Sequence, residues 1–197
     1  MAGTFRLPTR KPKGVIGTII FVLAIALWVA QQAGWLDGAK QAVVTNDPGL
    51  YSIDHFVDGD TIAVNMNGSV QTVRFIGIDT PETHKPNTPV QCYGPAAAAE
   101  TKTLIGTNKV RLETDPQSTN KDRYDRLLRY IYLPDGTLLN AKLVEGGYAF
   151  YYPYFPFTKS KQFSDLQTAA QAANKGLWGN CHPIKKDKGG YESNVAG

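Results

Sequence analysis

Short runs of β-branched and aromatic residues, broken by turn residues, fill the middle of the chain. Ile53–Val57 and Thr61–Val64 read as strands separated by the turn signal Asp58-Gly59. Asn67-Gly68 marks a two-residue hairpin, and the β-rich run from Val70 to Ile78 follows it. Val110–Glu113 and Leu127–Tyr132 supply two more strands, and Pro134-Asp135-Gly136 turns the chain after the second. The period changes to that of a helix in three places. Pro95 suits the first turn of a helix through Ala96–Leu104 that stops at Gly106. Leu138–Glu145 ends at Gly146-Gly147. From Ser160 onward, Phe163, Leu166, Ala169, Ala170 and Ala173 recur on one face, and Gly176 closes the run. About five strands with interleaved helices predict an α+β, mainly β domain: a small barrel with about three helices.

The N-terminal pattern is different. No charged residue occurs from Gly14 to Leu36, and as a helix this segment would be roughly 34 Å long, enough for a bilayer core. Trp28 and Trp35 suit its far interface. Arg6, Arg10, Lys11 and Lys13 precede it and predict a cytoplasmic N-terminus with the body exported. An uncleaved membrane anchor and a cleaved signal segment compete. Cuts after Ala30, Ala33 or Ala39 would put Trp28, Gln31 or Asp37 at the −3 position, which favours the anchor. The predicted organisation is a basic tail at 1–13, the transmembrane or signal segment at 14–36, a linker at 37–49, the domain at 50–182, and a polar, glycine-rich, frayed tail at 183–197.

Charge and cysteine content refine this picture. The chain of 197 residues has a net charge of +4, but without the four basic residues of the N-terminal tail its basic residues only equal its 17 acidic ones. Affinity for phosphate must then come from local arrangement. The two cysteines, Cys92 and Cys181, are too few for a disulfide scaffold or a cysteine-rich zinc site. In an oxidising compartment they are expected to form one bridge, with two buried thiols as the other reading.

The candidate chemistry sits on turns. Asp58-Gly59-Asp60-Thr61 presents acids at a tight turn, and Asp79-Thr80-Pro81-Glu82 follows a strand directly. Acids on rigid turns offer the oxygen ligands that calcium or magnesium takes. His55, His84 and His182 lack ligand spacing, which argues against zinc. Arg74 leads into Asp79, and Arg126 enters the Leu127–Tyr132 strand. A guanidinium offers paired donors to phosphate oxygens and keeps its charge. Taken singly, each feature is an ordinary turn, cap or solvated arginine. Together they are a set suited to cleaving phosphodiesters.

In order, the chain carries Asp58-Gly59-Asp60-Thr61, Arg74-Phe75-Ile76-Gly77-Ile78-Asp79-Thr80-Pro81-Glu82, Tyr93-Gly94-Pro95, Asp125-Arg126-Leu127-Leu128-Arg129-Tyr130-Ile131-Tyr132 and Gly176-Leu177-Trp178-Gly179. Over about residues 53–179 it thereby resembles the staphylococcal nuclease (thermonuclease) family. The resemblance implies a five-stranded OB-fold barrel and calcium-dependent hydrolysis of DNA and RNA to 3′-phosphate ends. It implies Asp60, Asp79 and the Thr80 carbonyl as calcium ligands, Glu82 as the group that activates or orients water, and Arg74 and Arg126 as phosphate clamps. Arg123 and Tyr124 would then lie near the nucleotide. Ala96 stands where the family often has a glutamate. The aromatic run Tyr151–Phe157 does not align cleanly, so no base-contacting residue is carried over from it. No protein partner is implied, and a monomer is expected. A non-catalytic nucleic-acid-binding or DNA-uptake module on the same barrel is the alternative.

Overall fold

The computed structural model describes residues 49–84 and 88–196. The basic tail, the uncharged segment 14–36 and nearly all of the linker lie outside the described residues. Among the described residues no helix is long and apolar enough to cross a membrane.

Five strands close into a barrel: β1 (Leu50–Asp58), β2 (Thr61–Met66), β3 (Ser69–Phe75), β5 (Val110–Glu113) and β6 (Leu127–Tyr132), in the order β1-β2-β3-β6-β5. This is the expected five-stranded barrel. β1 closes it against β5 through Leu50↔Arg111 and Tyr51↔Val110. At the Asn67-Gly68 turn both residues have positive φ, 57° and 86°, and Met66 pairs with Ser69 across it. This geometry matches strand twist and favours Asn-Gly. β3 and β6 run parallel, Arg74 opposite Leu128, because the chain between them crosses over through helix α1 (Gly94–Ile105) and β5.

The run from Val70 to Ile78 is not one strand. β3 ends at Phe75, and a two-residue strand β4 (Ile78–Asp79) leaves to pair with β7 (Phe150–Tyr151). Gly77 makes the break. Its φ is 74°, and a Cβ there would lie 2.5 Å from the Phe157 ring. The break takes Asp79 out of the barrel and onto the β4–β7 pair.

Helices α2 (Leu139–Glu145) and α3 (Ser160–Ala172) lie close to the sequence reading, and a one-turn helix α4 (Leu177–Asn180) was not anticipated. Ile62, Val73, Phe75, Ile131, Leu143 and Phe163 share the main core. Buried Asn140 on α2 accepts from Ile131 N–H at 2.9 Å and donates to the Ile76 carbonyl at 3.0 Å, so it ties helix, strand β6 and the β3 break together.

Cys92 and Cys181 are bridged, with Cα atoms 5.7 Å apart. The bridge lies in a second small core with Phe150 and Leu177, flanked by Trp178 and Tyr191. Beyond it the expected frayed tail is instead an ordered hairpin, β8 (Ile184–Lys185) against β9 (Tyr191–Glu192). Its glycines serve the turn, with φ of 86° at Gly189 and 74° at Gly190. Tyr191 anchors it, stacked 6.2 Å from Phe150 and edge-on to Trp178 at 4.9 Å. Polar, glycine-rich composition resembles disorder in sequence, but here Tyr191 packs the segment against the second core beside the disulfide.

Candidate active site

The site is built from the ends of strands. Asp60 lies in the two-residue loop between β1 and β2, where Asp58 pairs with Thr61. It is buried at 5% exposure. Its Oδ1 accepts from Thr61 Oγ1 at 3.0 Å and its Oδ2 from Thr80 N–H at 2.8 Å. Those bonds fasten the first acidic turn to the second, twenty residues later. Arg74, near the end of β3, fills the space between them. Its Nη2 is 2.8 Å from Asp79 Oδ1 and 3.1 Å from Asp60 Oδ2. Its Nη1 donates to the Ile78 carbonyl at 2.8 Å and to the Phe75 carbonyl at 3.2 Å. Burial works against its charge, but Asp60 and then Asp79 outweigh it and raise the guanidinium's pKa. The structure thus brings Asp60, Arg74, Asp79 and Thr80 together.

Glu82 follows on the same segment. Its N–H donates to Gln91 Oε1 at 2.8 Å, and its carbonyl accepts from Gln91 N–H at 2.9 Å. This clamp fixes the backbone that carries the carboxylate. Glu82 Oε1 accepts from Thr83 N–H at 3.2 Å and from His84 N–H at 3.3 Å. Asp79, Thr80 and Glu82 line an open cavity of about 430 Å³ together with Tyr152, Tyr154, Lys186, Glu192 and Ser193.

Negative charge is concentrated here. Asp79 is pushed up to about 6, first by burial, with Asp60 and Glu82 adding to it against Arg74 and Lys186. Asp58 is likewise pushed up to about 6, by burial first and then by the Asp60 charge. Its Oδ1 accepts from Gly59 N–H at 2.8 Å and from Thr83 Oγ1 at 2.9 Å. Among these acids Arg74 is the one guanidinium placed between carboxylates. An excess of carboxylates with raised pKa values is a site that gains from another cation.

Arg126 is placed differently. It stands just before β6, the strand beside β3, and its guanidinium is engaged by Asp122, with Nη2 2.6 Å and Nε 2.7 Å from Oδ2. It does not line the cavity. Arg123 and Tyr124 lie on the same loop. The Arg123 guanidinium is 4.8 Å from the Tyr124 ring centre, and that ring is 63% exposed. His84 is exposed and lies outside the strands and helices.

Sequence reasoning missed Tyr152, Tyr154, Lys186, Glu192 and Ser193 as lining residues. Tyr152 and Tyr154 belong to the aromatic run that was noticed but not assigned. Lys186, Glu192 and Ser193 lie in the segment read as a frayed tail. The cysteine pair held the signal for these three, because a bridge to Cys92 obliges the residues after Cys181 to start beside the Glu82 segment.

Among the described residues no group of three or more His, Cys, Asp or Glu side chains stands ready to hold a metal. The donor set at the site is nonetheless all oxygen: two carboxylates joined through the Thr80 segment. Thr80 Oγ1 is buried beside them without a hydrogen-bond partner. Such a set fits a hard divalent ion that completes its shell with water or substrate oxygens, and does not fit a soft one.

A closed barrel of mixed strand direction, with an arginine held between two aspartates at the mouth of an acidic cleft, defines a class of small barrel proteins whose site sits at strand ends on one flank. Residues 72–180 match the profile described as staphylococcal nuclease homologue. The chain is 40% identical over 168 residues to a thermonuclease of Staphylococcus hyicus, covering 83% of this chain and 96% of that one. It is 36% identical over 165 residues to the endonuclease YncB of Bacillus subtilis (strain 168), covering 83% and 72%. It is 41% identical over 128 residues to the SPbeta prophage-derived endonuclease YokF of the same organism, covering 64% of this chain and 43% of that one. The chain belongs to the staphylococcal nuclease family.

Proposed function

We propose that the protein is a calcium-dependent endonuclease that hydrolyses phosphodiester bonds of DNA and RNA and leaves 3′-phosphate ends. The observation that carries this reading is Arg74 held between Asp60 and Asp79 at the edge of a cleft that Glu82 also lines. The names of the relatives, thermonuclease and endonuclease, support the same class of activity.

In this reading Asp60 and Asp79, with the Thr80 carbonyl, would hold calcium. Bound there, the ion supplies Lewis-acid stabilisation to a phosphate oxygen. Glu82 accepts a proton from the attacking water or orients it, while Gln91 holds the backbone on which Glu82 sits. Arg74 offers its guanidinium to the charge that grows on the phosphorus-bound oxygens. Arg126 is the second clamp and exchanges its Asp122 partner for phosphate. The protein acts as a monomer, anchored by residues 14–36 with the barrel outside the cytoplasm. The Cys92–Cys181 bridge supports that placement, since such bonds persist in oxidising surroundings.

The test is cleavage of plasmid and of RNA by the full-length chain in detergent, with calcium and with chelator, beside Glu82→Gln. We expect calcium-dependent cleavage and a fall in kcat of roughly 10²–10⁴ in the variant. An undiminished rate in Glu82→Gln would remove that residue from the mechanism. No cleavage by the parent chain with calcium present would end the proposal.

A further inference from the structure

Of the residues lining the cleft, Lys186 is the only lysine or arginine among those described. It belongs to the β8–β9 hairpin, beyond the family match that stops at residue 180. The hairpin is not loosely attached. Ser193 Oγ donates to the Cys92 carbonyl at 2.7 Å, and Cys92 N–H donates to the Asn194 carbonyl at 2.7 Å. Ala196 N–H donates to the Val90 carbonyl at 2.9 Å. Tyr154 donates its hydroxyl to the Gly189 carbonyl in the hairpin turn. Lys186 is therefore carried on a fixed hairpin and lines the same cleft as Asp79 and Glu82.

Its own bonding leaves it available. Its side chain is 38% exposed; Glu192, itself 54% exposed, is its ion-pair partner at 3.5 Å, and its charge also acts on Asp79. A solvent-facing pair at that distance contributes little and is readily exchanged. The cleft otherwise presents Asp79, Glu82 and Glu192. A polyanionic strand laid along such a wall meets repulsion unless a cation stands there to receive it.

We infer that Lys186 is a substrate-contacting residue: it binds a backbone phosphate next to the one that is cleaved, and the disulfide-pinned hairpin forms one wall of the nucleic-acid cleft. The inference rests on the nuclease reading above. It places a phosphate contact outside the family match, on the β8–β9 hairpin.

The experiment measures kcat and KM for a single-stranded oligonucleotide, and the salt dependence of KM, in full-length parent, Lys186→Gln and Lys186→Arg chains. Anisotropy of a labelled oligonucleotide with each chain in chelator reads binding without cleavage. We expect Lys186→Gln to raise KM and Kd about tenfold at low salt, with kcat within about twofold of the parent. The salt slope of log KM should drop by about 0.7, the counterion equivalent of one single-strand phosphate contact. Lys186→Arg should restore both. An unchanged salt slope, or a fall in kcat with KM preserved, would overturn the inference, because either would leave Lys186 merely adjusting Asp79. A parent chain that binds but never cleaves would defeat the nuclease reading alone, and the anisotropy series would still decide the role of Lys186.

Discussion

Arg74 Nη2 stands 2.8 Å from Asp79 Oδ1 while the other nitrogen of the same fork reaches the carbonyl just before Asp79, that of Ile78, also at 2.8 Å. One side chain thus fixes both the carboxylate and the backbone that carries it. The flat, branched guanidinium makes this possible, since a lysine could satisfy only one corner of the arrangement.

Arg74→Lys should therefore fail as a conservative change. Its expected effect is a fall in kcat of about 10²-fold or more. Arg74→Ala should also lose about 3–5 kcal/mol of stability, because it leaves the Asp60 carboxylate buried without its partner. Kinetics and urea unfolding of both variants check this. Parent-like turnover in the lysine variant would mean the fork geometry is irrelevant.

The acidic cluster gives stability an unusual pH profile. The Asp58 and Asp79 carboxyls are raised from 3.8 to about 6 by folding. Between those values the folded protein holds more protons than the unfolded chain. Stability must then fall as pH rises from about 4 to about 6. Asp115 and Asp122 act in the opposite sense, with folded values below 3.8, so their contribution is lost only as pH drops further. Calcium should offset the fall at neutral pH by engaging Asp79 together with Asp60. Urea midpoints from pH 4 to 7, with and without calcium, test this. Equal calcium stabilisation in an Asp60→Asn, Asp79→Asn double variant would sink it.

Reduction of the Cys92–Cys181 bridge should loosen one side of the molecule before the rest. Closing a loop with a separation of 89 residues stabilises by up to about 4–5 kcal/mol in the chain-entropy model. The local effect falls on the hairpin. Amide exchange at Cys92 and Ala196, whose N–H groups bond to Asn194 and Val90, should speed up in Cys181→Ser. Ile131 N–H, held by Asn140 in the core, should stay protected. Uniform loss of protection across both groups would show that the hairpin and barrel open as one unit.

The parts of this structure that were legible in sequence are those written locally. Asn67-Gly68 dictates its own turn, and Asp60, Arg74 and Asp79 sit at strand ends whose β-rich runs are plain. The break after Phe75 was not legible, because Gly77 is required there by the Phe157 ring, eighty residues away. Asn140 is similar: an asparagine in a short helix looks like a surface residue until the Ile131 and Ile76 backbones meet it. Lys186 was hidden by a composition that resembles disorder, and by dependence on a bridge that sequence permits but does not require.

The Ser193–Cys92 hydrogen bond joins residues 101 positions apart, and the cleft beside it is lined by segments just as distant in the chain. A nascent chain that has already wound its barrel still lacks the surface on which a polynucleotide would lie. The cleft is therefore completed late, once segments far apart in the chain have met and Cys92 and Cys181 are joined.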